Sequence, residues 1–554
     1  MRKLVHFAGF LFLALGAQAA VVKPTFTSTP TLVATQGAQY TYTVTASTPD
    51  HEAITFALRG PVGATLVGGD KVTWTPSATE ARRMNLFVIT ATSSSGGRAT
   101  QSFKIDPAGT VSGTSIHHFL KGLTVPDDLS VLPVAAYVPN GSGGYNVIAG
   151  TGTSTGTFTI NGVAGGFYLL QLGSLYLWTQ NGTTHSDTYA DTRPNPAQAG
   201  SSTSVTFDLT NVNAWQTTDV LELLSANNAT YLTFDETNGK TSFTGMYSYG
   251  GSLSDAAQGD RYYATQLITQ PVGGNPFVAL GRSFAVPKFT QADGSDTTIQ
   301  GAMQSVAQTE QFEANLNASD ISKAAAAVNA NGVLTDTSVF LDAFPGSLAN
   351  GVATATPDLV GYSLGNGLPF LTNNENLGTV FYGNPFPPTW PLFTGYIWSV
   401  DVPYTAPGAS TSTDVFGGPF GFGTALPTST QPLELLIGGP TNPTVNGHKF
   451  ASNLTSVGLT PALAWSAPST GTASYYQLFV WRLVKNGTSS EAHLHATVQT
   501  SATSLTIPPG LLTTGEAYVF DLWAYTVQGY NVLQPLKVRL PYGAADVMSG
   551  MMQP

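Results

Sequence analysis

The chain has 554 residues, of which 42% are hydrophobic, 11% aromatic and only 10% charged, with a net charge of -11 and no cysteine. Such a composition excludes a disulfide-framed domain, a chain too polar to bury a core, and a basic surface made for nucleic acid or anionic membrane. At roughly 100–200 residues per domain, several domains are expected, and 59 glycines and 35 prolines among abundant hydroxyl and β-branched residues point to turn-rich, all-β architecture.

The first element is an export signal over 1–19. Arg2 and Lys3 form its basic end, "LVHFAGFLFLALG" its apolar run, and "AQA" at 17–19 offers cleavage before Ala20. The run is shorter than the about 20 residues of a membrane span, and no later run approaches one. A chain without a membrane span after cleavage is expected, placed at the cell surface, in the periplasm or outside the cell.

Residues 20–108 read as short strands. "QYTYTVTAS" puts Tyr40, Tyr42 and Val44 on one face, and "AITFALRG", "KVTWTPS", "NLFVITATS" and "TQSFKID" follow at regular intervals. "PTFTSTP", "GAQYTYTV", "VTWTP" around Trp74 and the hairpin "VITATSSSGGRATQSFKI" together resemble the immunoglobulin-like, cadherin-like module of bacterial surface proteins. The resemblance implies a β-sandwich. It does not bring calcium with it, because Asp50, Glu52, Asp70, Glu80 and Asp106 are scattered.

Residues 110–195 continue in strands. "GTFTINGVAGGFYLLQL" alternates Phe158 with Ile160, turns at Gly162 to Gly166 and alternates Tyr168 with Leu170. It resembles a transthyretin-like, carboxypeptidase-regulatory module, which implies a spacer rather than a catalyst. Residues 200–455 are β-rich and of no recognisable type, as one domain or two. Asn238-Gly239 marks a hairpin turn. One short helix is expected near 319–330, N-capped by Ser319, with Asp320 in its first turn and Gly332 as its stop.

Residues 457–541 open on "PALAWSAPS", with Trp465 as a core candidate, and run into the long alternating strand "YYQLFVWRLV". In "SLTIPPGLLTTGEAYVFDLWAYT", Leu512 precedes Tyr518, and Phe520, Leu522 and Ala524 alternate after it. This stretch resembles a fibronectin type III domain, which implies a sandwich with Trp465 and Tyr518 in one core. Residues 542–554 read as a tail.

Candidate chemistry is thin. Glu491, His493 and His495 are spaced two apart and would share one face of a strand, a weak candidate for a metal site. Ala492, Leu494 and Ala496 would take the inward face, which makes the polar trio the wet side of an edge. "GTSTG" at 152–156 has the form of a nucleophile elbow, yet a strand and not a helix follows it. His117 and His118 are adjacent and would point oppositely, and His185, Asp187 and Asp191 share a loop. Carboxylates form no evident pair. The richest aromatic stretch is "FYGNPFPPTWPLFTGYIW" at 381–398. Its proline-stiffened loop could present Phe386 and Trp390 to a sugar or a peptide, while Tyr396 and Trp398 pack inward.

The reading is an exported, all-β protein of tandem β-sandwiches without catalytic residues, cofactor or dedicated metal. Its expected role is binding, adhesion or envelope scaffolding, with an extracellular glycan or protein as partner. Two alternatives stand: an extracellular hydrolase with its active site in 200–455, marked by a pocket with converging carboxylates or a His-centred triad, and a subunit of an envelope assembly, marked by an exposed strand edge or apolar patch.

Overall fold

Alternation in the first hundred residues places every second side chain on an inner face. Tyr40–Thr43 pairs with Lys71–Trp74, and Asn85–Ser93 lies between Ile54–Arg59 and Arg98–Ile105. Tyr40, Tyr42, Val44, Val72, Trp74, Phe87, Ile89 and Ile105 pack between these two sheets. Trp74 is fully buried, and its indole N–H donates to the Val62 carbonyl at 3.2 Å, so the polar atom of the largest core residue is satisfied. The sandwich expected over 20–108 is therefore present. In the computed structural model, which describes residues 21–190, 192–200, 203–248, 251–345, 355–362 and 370–554, this unit comprises 21–110 together with 161–166. The expected export segment lies outside the described residues.

The remainder, 111–160 with 167–554, forms one compact unit. Its frame is a 19-stranded, hydrogen-bonded sheet. Leu175–Thr179 pairs in parallel with Ser489–Thr500, which pairs with Tyr475–Asn486, which pairs with Ala517–Val527. Tyr542–Gln553 continues the sheet through Phe420–Gly423 to Leu392–Tyr404, Val333–Ala343 and Asp358–Tyr362. Asn275–Ala285, Tyr263–Val272, Val220–Ser225 and Thr230–Phe234 complete this run. The modules expected over 110–195, 200–455 and 457–541 thus share backbone hydrogen bonds across their expected boundaries.

The expected tail is a correction of substance. Tyr542–Gln553 is a twelve-residue strand, almost wholly buried, in register with Ala517–Val527. Its alanines, glycines and Asp546 lower its apparent hydrophobicity, but Ala544, Ala545, Val547, Met548 and Met552 are core. Trp465 and Tyr518 lie in one core, as the type III resemblance implied, and that core also holds Ala135, Tyr137, Leu169 and Tyr176 from the segment expected as a separate spacer. Tyr518 accepts a hydrogen bond from the Thr513 N–H at 3.1 Å.

The single α-helix among the described residues is Ala318–Ala326. Asn317, not Ser319, stands at its N-cap, and the helix ends before Gly332. Ala318, Ile321 and Ala325 form its buried stripe at helical spacing, and Ser322 on its flank accepts from the Trp398 indole at 3.1 Å. No described helix is long and apolar enough to cross a membrane.

Candidate functional site

The strands Val220–Ser225 and Val333–Ala343 each carry an acid among apolar neighbours, in "VLELLS" and "VFLDA". Strand alternation puts Glu222 on the face of Val220 and Leu224, and Asp342 on that of Phe340. Asp358 opens the next strand, and its backbone is the register partner of Asp342. Glu222 and Asp342 both meet Asp358 through their side chains. Glu222 is fully buried, Asp342 is 3% exposed and Asp358 is half-buried.

The row is held from both ends. Tyr231 donates its hydroxyl to Glu222 Oε1 and Thr265 donates to Oε2, each at 2.8 Å. Thr356 donates to Asp342 Oδ2 at 2.6 Å, while Asp342 Oδ1 receives no donor from a neutral or basic group. Burial first, and then the Asp358 charge, hold the Glu222 carboxyl well above the usual carboxylate range. Burial followed by the Asp342 charge does the same to Asp358. Asp342 is pushed up to about 8, by burial above all. Three acids with raised pKa values in contact share protons at neutral pH.

The row faces a cleft of about 480 Å³. Leu267, Val278, Phe340, Tyr362 and Ile397 give it apolar walls, and Thr218, Thr233 and Ser338 add hydroxyls. Asp235 stands at its exposed side, and no lysine, arginine or histidine lines it among the described residues. The cleft can therefore offer carboxyl O–H donors, carboxyl and hydroxyl acceptors, and apolar faces, but no cation for an anionic ligand.

The residues singled out from sequence fare differently. Phe386 is 5% exposed and packs in the core beneath Tyr263, at 5.2 Å between ring centroids; Trp390 stacks on it at 5.3 Å and is half-buried. Phe386 is thus buried rather than presented outward. Phe393, Tyr396 and Trp398 are core as well. The proline-stiffened loop closes over the sheet because Tyr263 provides a matching aromatic face.

Glu491 and His493 pair at 3.0 Å, but His495 turns away to the Leu511 carbonyl at 2.9 Å. A bulge causes this: Val480 opposes Ala496 and Trp481 opposes Leu494, which leaves His495 unmatched. The bulge also leaves Leu494 50% exposed, against the expectation of an inward face. The three side chains do not converge, and no group of three metal-ligating residues occurs among the described residues. His117 and His118 do point oppositely, each to its own acid: His117 to Asp127 at 2.9 Å and His118 to Asp187 at 3.2 Å. His185 meets Thr114 instead, and Asp191 lies outside the described residues. Gly152 ends the short strand Thr151–Gly152, and a turn over 153–156 leads into the strand Thr157–Val163, with no helix following.

Glu222, Asp342 and Asp358 escaped notice in the sequence because 120 residues separate the first two. The available signal was an acid at an inward position of an otherwise apolar strand. No family model and no curated relative matches the chain. Among solved structures it is similar to a Bacteroides ovatus mixed-linkage glucan utilisation protein, SGBP-B, in complex with a mixed-linkage heptasaccharide, at 10% identity over 65% of this chain and 97% of that one, with a TM-score of 0.15. It is likewise similar to the four N-terminal immunoglobulin domains of Dscam1, at 9% identity over 96% and 99%, and to immunoglobulin domains 1–5 of Sidekick-1, at 11% over 97% and 99%, both with TM-scores of 0.15. Likeness at that level carries no weight for ligand or activity.

Proposed function

We propose that the chain is an exported binding protein without catalytic activity, and that it holds a neutral, hydroxyl-rich ligand, such as a stretch of extracellular glycan, in the acid-lined cleft. One observation carries this reading: three acids in contact, their pKa values raised above all by burial, line a cleft of about 480 Å³ with apolar walls and, among the described residues, no basic residue. Protonated carboxyls donate to ligand oxygens while their carbonyl oxygens accept, which suits vicinal hydroxyls, and the apolar walls suit C–H faces. The -11 net charge fits a partner that is neither nucleic acid nor anionic membrane.

The test is titration of neutral oligosaccharides against the wild type and Asp358→Ala, with melting temperature measured in parallel. Asp358→Ala removes the half-buried member of the row from the cleft, so the variant should lose about tenfold in affinity while the parallel melting curve confirms that it is folded. Binding unchanged in that variant would remove the cleft from consideration.

Hydrolysis of the bound polymer is the second reading, favoured by the protons these acids keep at neutral pH, as a general acid must. Binding stands first on geometry. Two glycosidase carboxyls flank the bond at about 5 Å or more, whereas Asp358 is in hydrogen-bonding contact with both Asp342 and Glu222. Release of reducing ends from a polymer, abolished in Asp358→Ala, would reverse that order.

A further inference from the structure

The hairpin of Val134–Pro139 and Tyr145–Ala149 and the short strands Ala462–Ser466 and Ser504–Thr506 border one core, that of Trp465 and Tyr518. Between them lies a groove of about 530 Å³, within the about 300–1,000 Å³ of small-molecule sites. Among the described residues no charged residue lines it, and it shares no lining residue with the acid-lined cleft.

The groove is held in shape from three sides. The Tyr145 hydroxyl donates to the Thr506 carbonyl at 2.9 Å, which ties the hairpin to the facing strand. Phe167 stacks on Trp178 at 5.6 Å with an interplanar angle of 7°, and so steadies a ring that lines the groove. At the rim, Asn140 Oδ1 accepts from the Ser142 and Gly144 N–H groups, each at 3.1 Å, while Gly141 and Gly143 take φ of 74° and 86°. This loop is stiff, and its glycines put no side chain over the opening.

The polar groups of the groove can be reached. The Ile507 N–H donates to the Pro461 carbonyl and the Trp465 N–H to the Thr503 carbonyl. A ladder that alternates from these bonds pairs Leu505 with Leu463 and turns the N–H and C=O of Ser504 and Thr506 to the free edge. Ser504 is exposed and Thr506 half-buried. The half-buried Trp178 ring has an indole N–H that meets no acceptor among the described residues.

We infer that this groove is a second ligand site, which takes a short stretch of neutral glycan. Tyr145 and Trp178 supply aromatic surface for sugar C–H groups, and Ser504, Thr506 and the strand edge supply donors and acceptors for hydroxyls. The uncharged lining disfavours ionic groups. The register argues against an added peptide strand, which needs a run of open backbone groups. Only Ser504 and Thr506 face outward on this short strand, and the Thr506 carbonyl is already taken. The inference rests on the proposed function for its class of ligand, and not for its place.

The experiment uses the full chain and neutral probes: cellotetraose, laminaritetraose, maltotetraose and mannotetraose, with a neutral threonine–valine peptide as the rival. Calorimetry reads affinity and stoichiometry, and a melting curve accompanies each variant. Ser504→Arg and Ala464→Arg put a long cation at exposed positions of the groove, so the fold should be kept while binding there falls about tenfold or more. Trp178→Ala should weaken the same binding about threefold to tenfold. Asp358→Ala, which alters the cleft, should retain the binding that these variants lose. If it binds as the wild type does in every respect, the cleft fails and the groove stands. The inference is overturned if no sugar binds saturably, if both arginine variants bind as the wild type does, if the only loss is in Asp358→Ala, or if the arginine variants lose the peptide and no sugar.

Discussion

Two groups of buried acids occupy the same sheet, and they are built differently. Glu222, Asp342 and Asp358 border a cleft and leave Asp342 Oδ1 without a neutral or basic donor. Asp521 and Asp546 are each 1% exposed and hydrogen-bond one another. Backbone and indole close the second group: the Gly418 N–H donates to Asp546 Oδ1 at 2.7 Å and the Trp523 indole to Asp521 Oδ2 at 2.6 Å. Gly418, at φ 120°, allows that approach, since a Cβ there would collide with the Trp398 carbonyl. A sealed pair with built-in donors ties Ala517–Val527 and Tyr542–Gln553 to the Gly417–Gly418 turn. Asp521 Oδ1 and Asp546 Oδ2 lack a neutral or basic donor just as Asp342 Oδ1 does, so what sets the row apart is the cleft that it borders.

The largest expected effect separates the two groups by stability. Asp546→Ala strands the buried Gly418 N–H and should cost about 1–3 kcal/mol, read as a shift in denaturation midpoint at constant slope. Asp358→Ala, at a half-buried position beside the cleft, should cost less. If Asp358→Ala proves the more damaging, the open row is the structural element and the comparison inverts.

The pH dependence is next in size. These carboxyls have higher pKa values folded than unfolded, so the folded chain binds more protons than the unfolded one above about pH 4. Their contribution is complete below about pH 4 and is lost as pH rises, toward about 6 for Asp546 and about 8 for Asp342. The melting temperature should thus decline between pH 4 and 8. Asp546→Asn should flatten the lower part of that decline and Asp342→Asn the part reaching to pH 8. A profile that rises across this window, or is unchanged in both variants, would show that these groups ionise normally.

The fold was legible wherever local pattern decides structure. Trp74, Trp465 and Tyr518 could be placed in their cores because alternation is a local property of a strand. The seam between Leu175–Thr179 and Ser489–Thr500 was not legible, because pairing partners more than 300 residues apart leave no periodic trace. Tyr542–Gln553 was misread as a tail because Ala, Gly and Met bury well without looking like a strand. The acid row was illegible for the first of these reasons: its members come from separate strands, and only their inward setting distinguishes them from surface acids. At Glu491, His493 and His495 the spacing was read correctly, yet a bulge undid the shared face.

The smallest expected effect concerns metal, and it tests the open row most sharply. The three carboxyls of the row are no ligand set as they stand, since no group of three metal-ligating residues occurs among the described residues. Burial and mutual repulsion keep protons on them near neutral pH, and a cation must displace those protons to bind. The sealed pair offers no access at all, since Asp521 and Asp546 have their outer oxygens taken by the Trp523 indole and the Gly418 N–H. At pH 7 neither EDTA nor millimolar calcium should therefore move the melting temperature by more than about 1 °C, a shift that corresponds to a fraction of a kcal/mol. Raising the pH past about 8, where Asp342 ionises, is the condition under which a calcium effect could emerge, and Asp342→Asn should abolish it. A clear rise with calcium at pH 7, lost in Asp342→Asn, would replace the protonated, neutral-ligand cleft with a cation site. The same rise surviving in that variant but lost in His493→Ala would point to Glu491 and His493 instead.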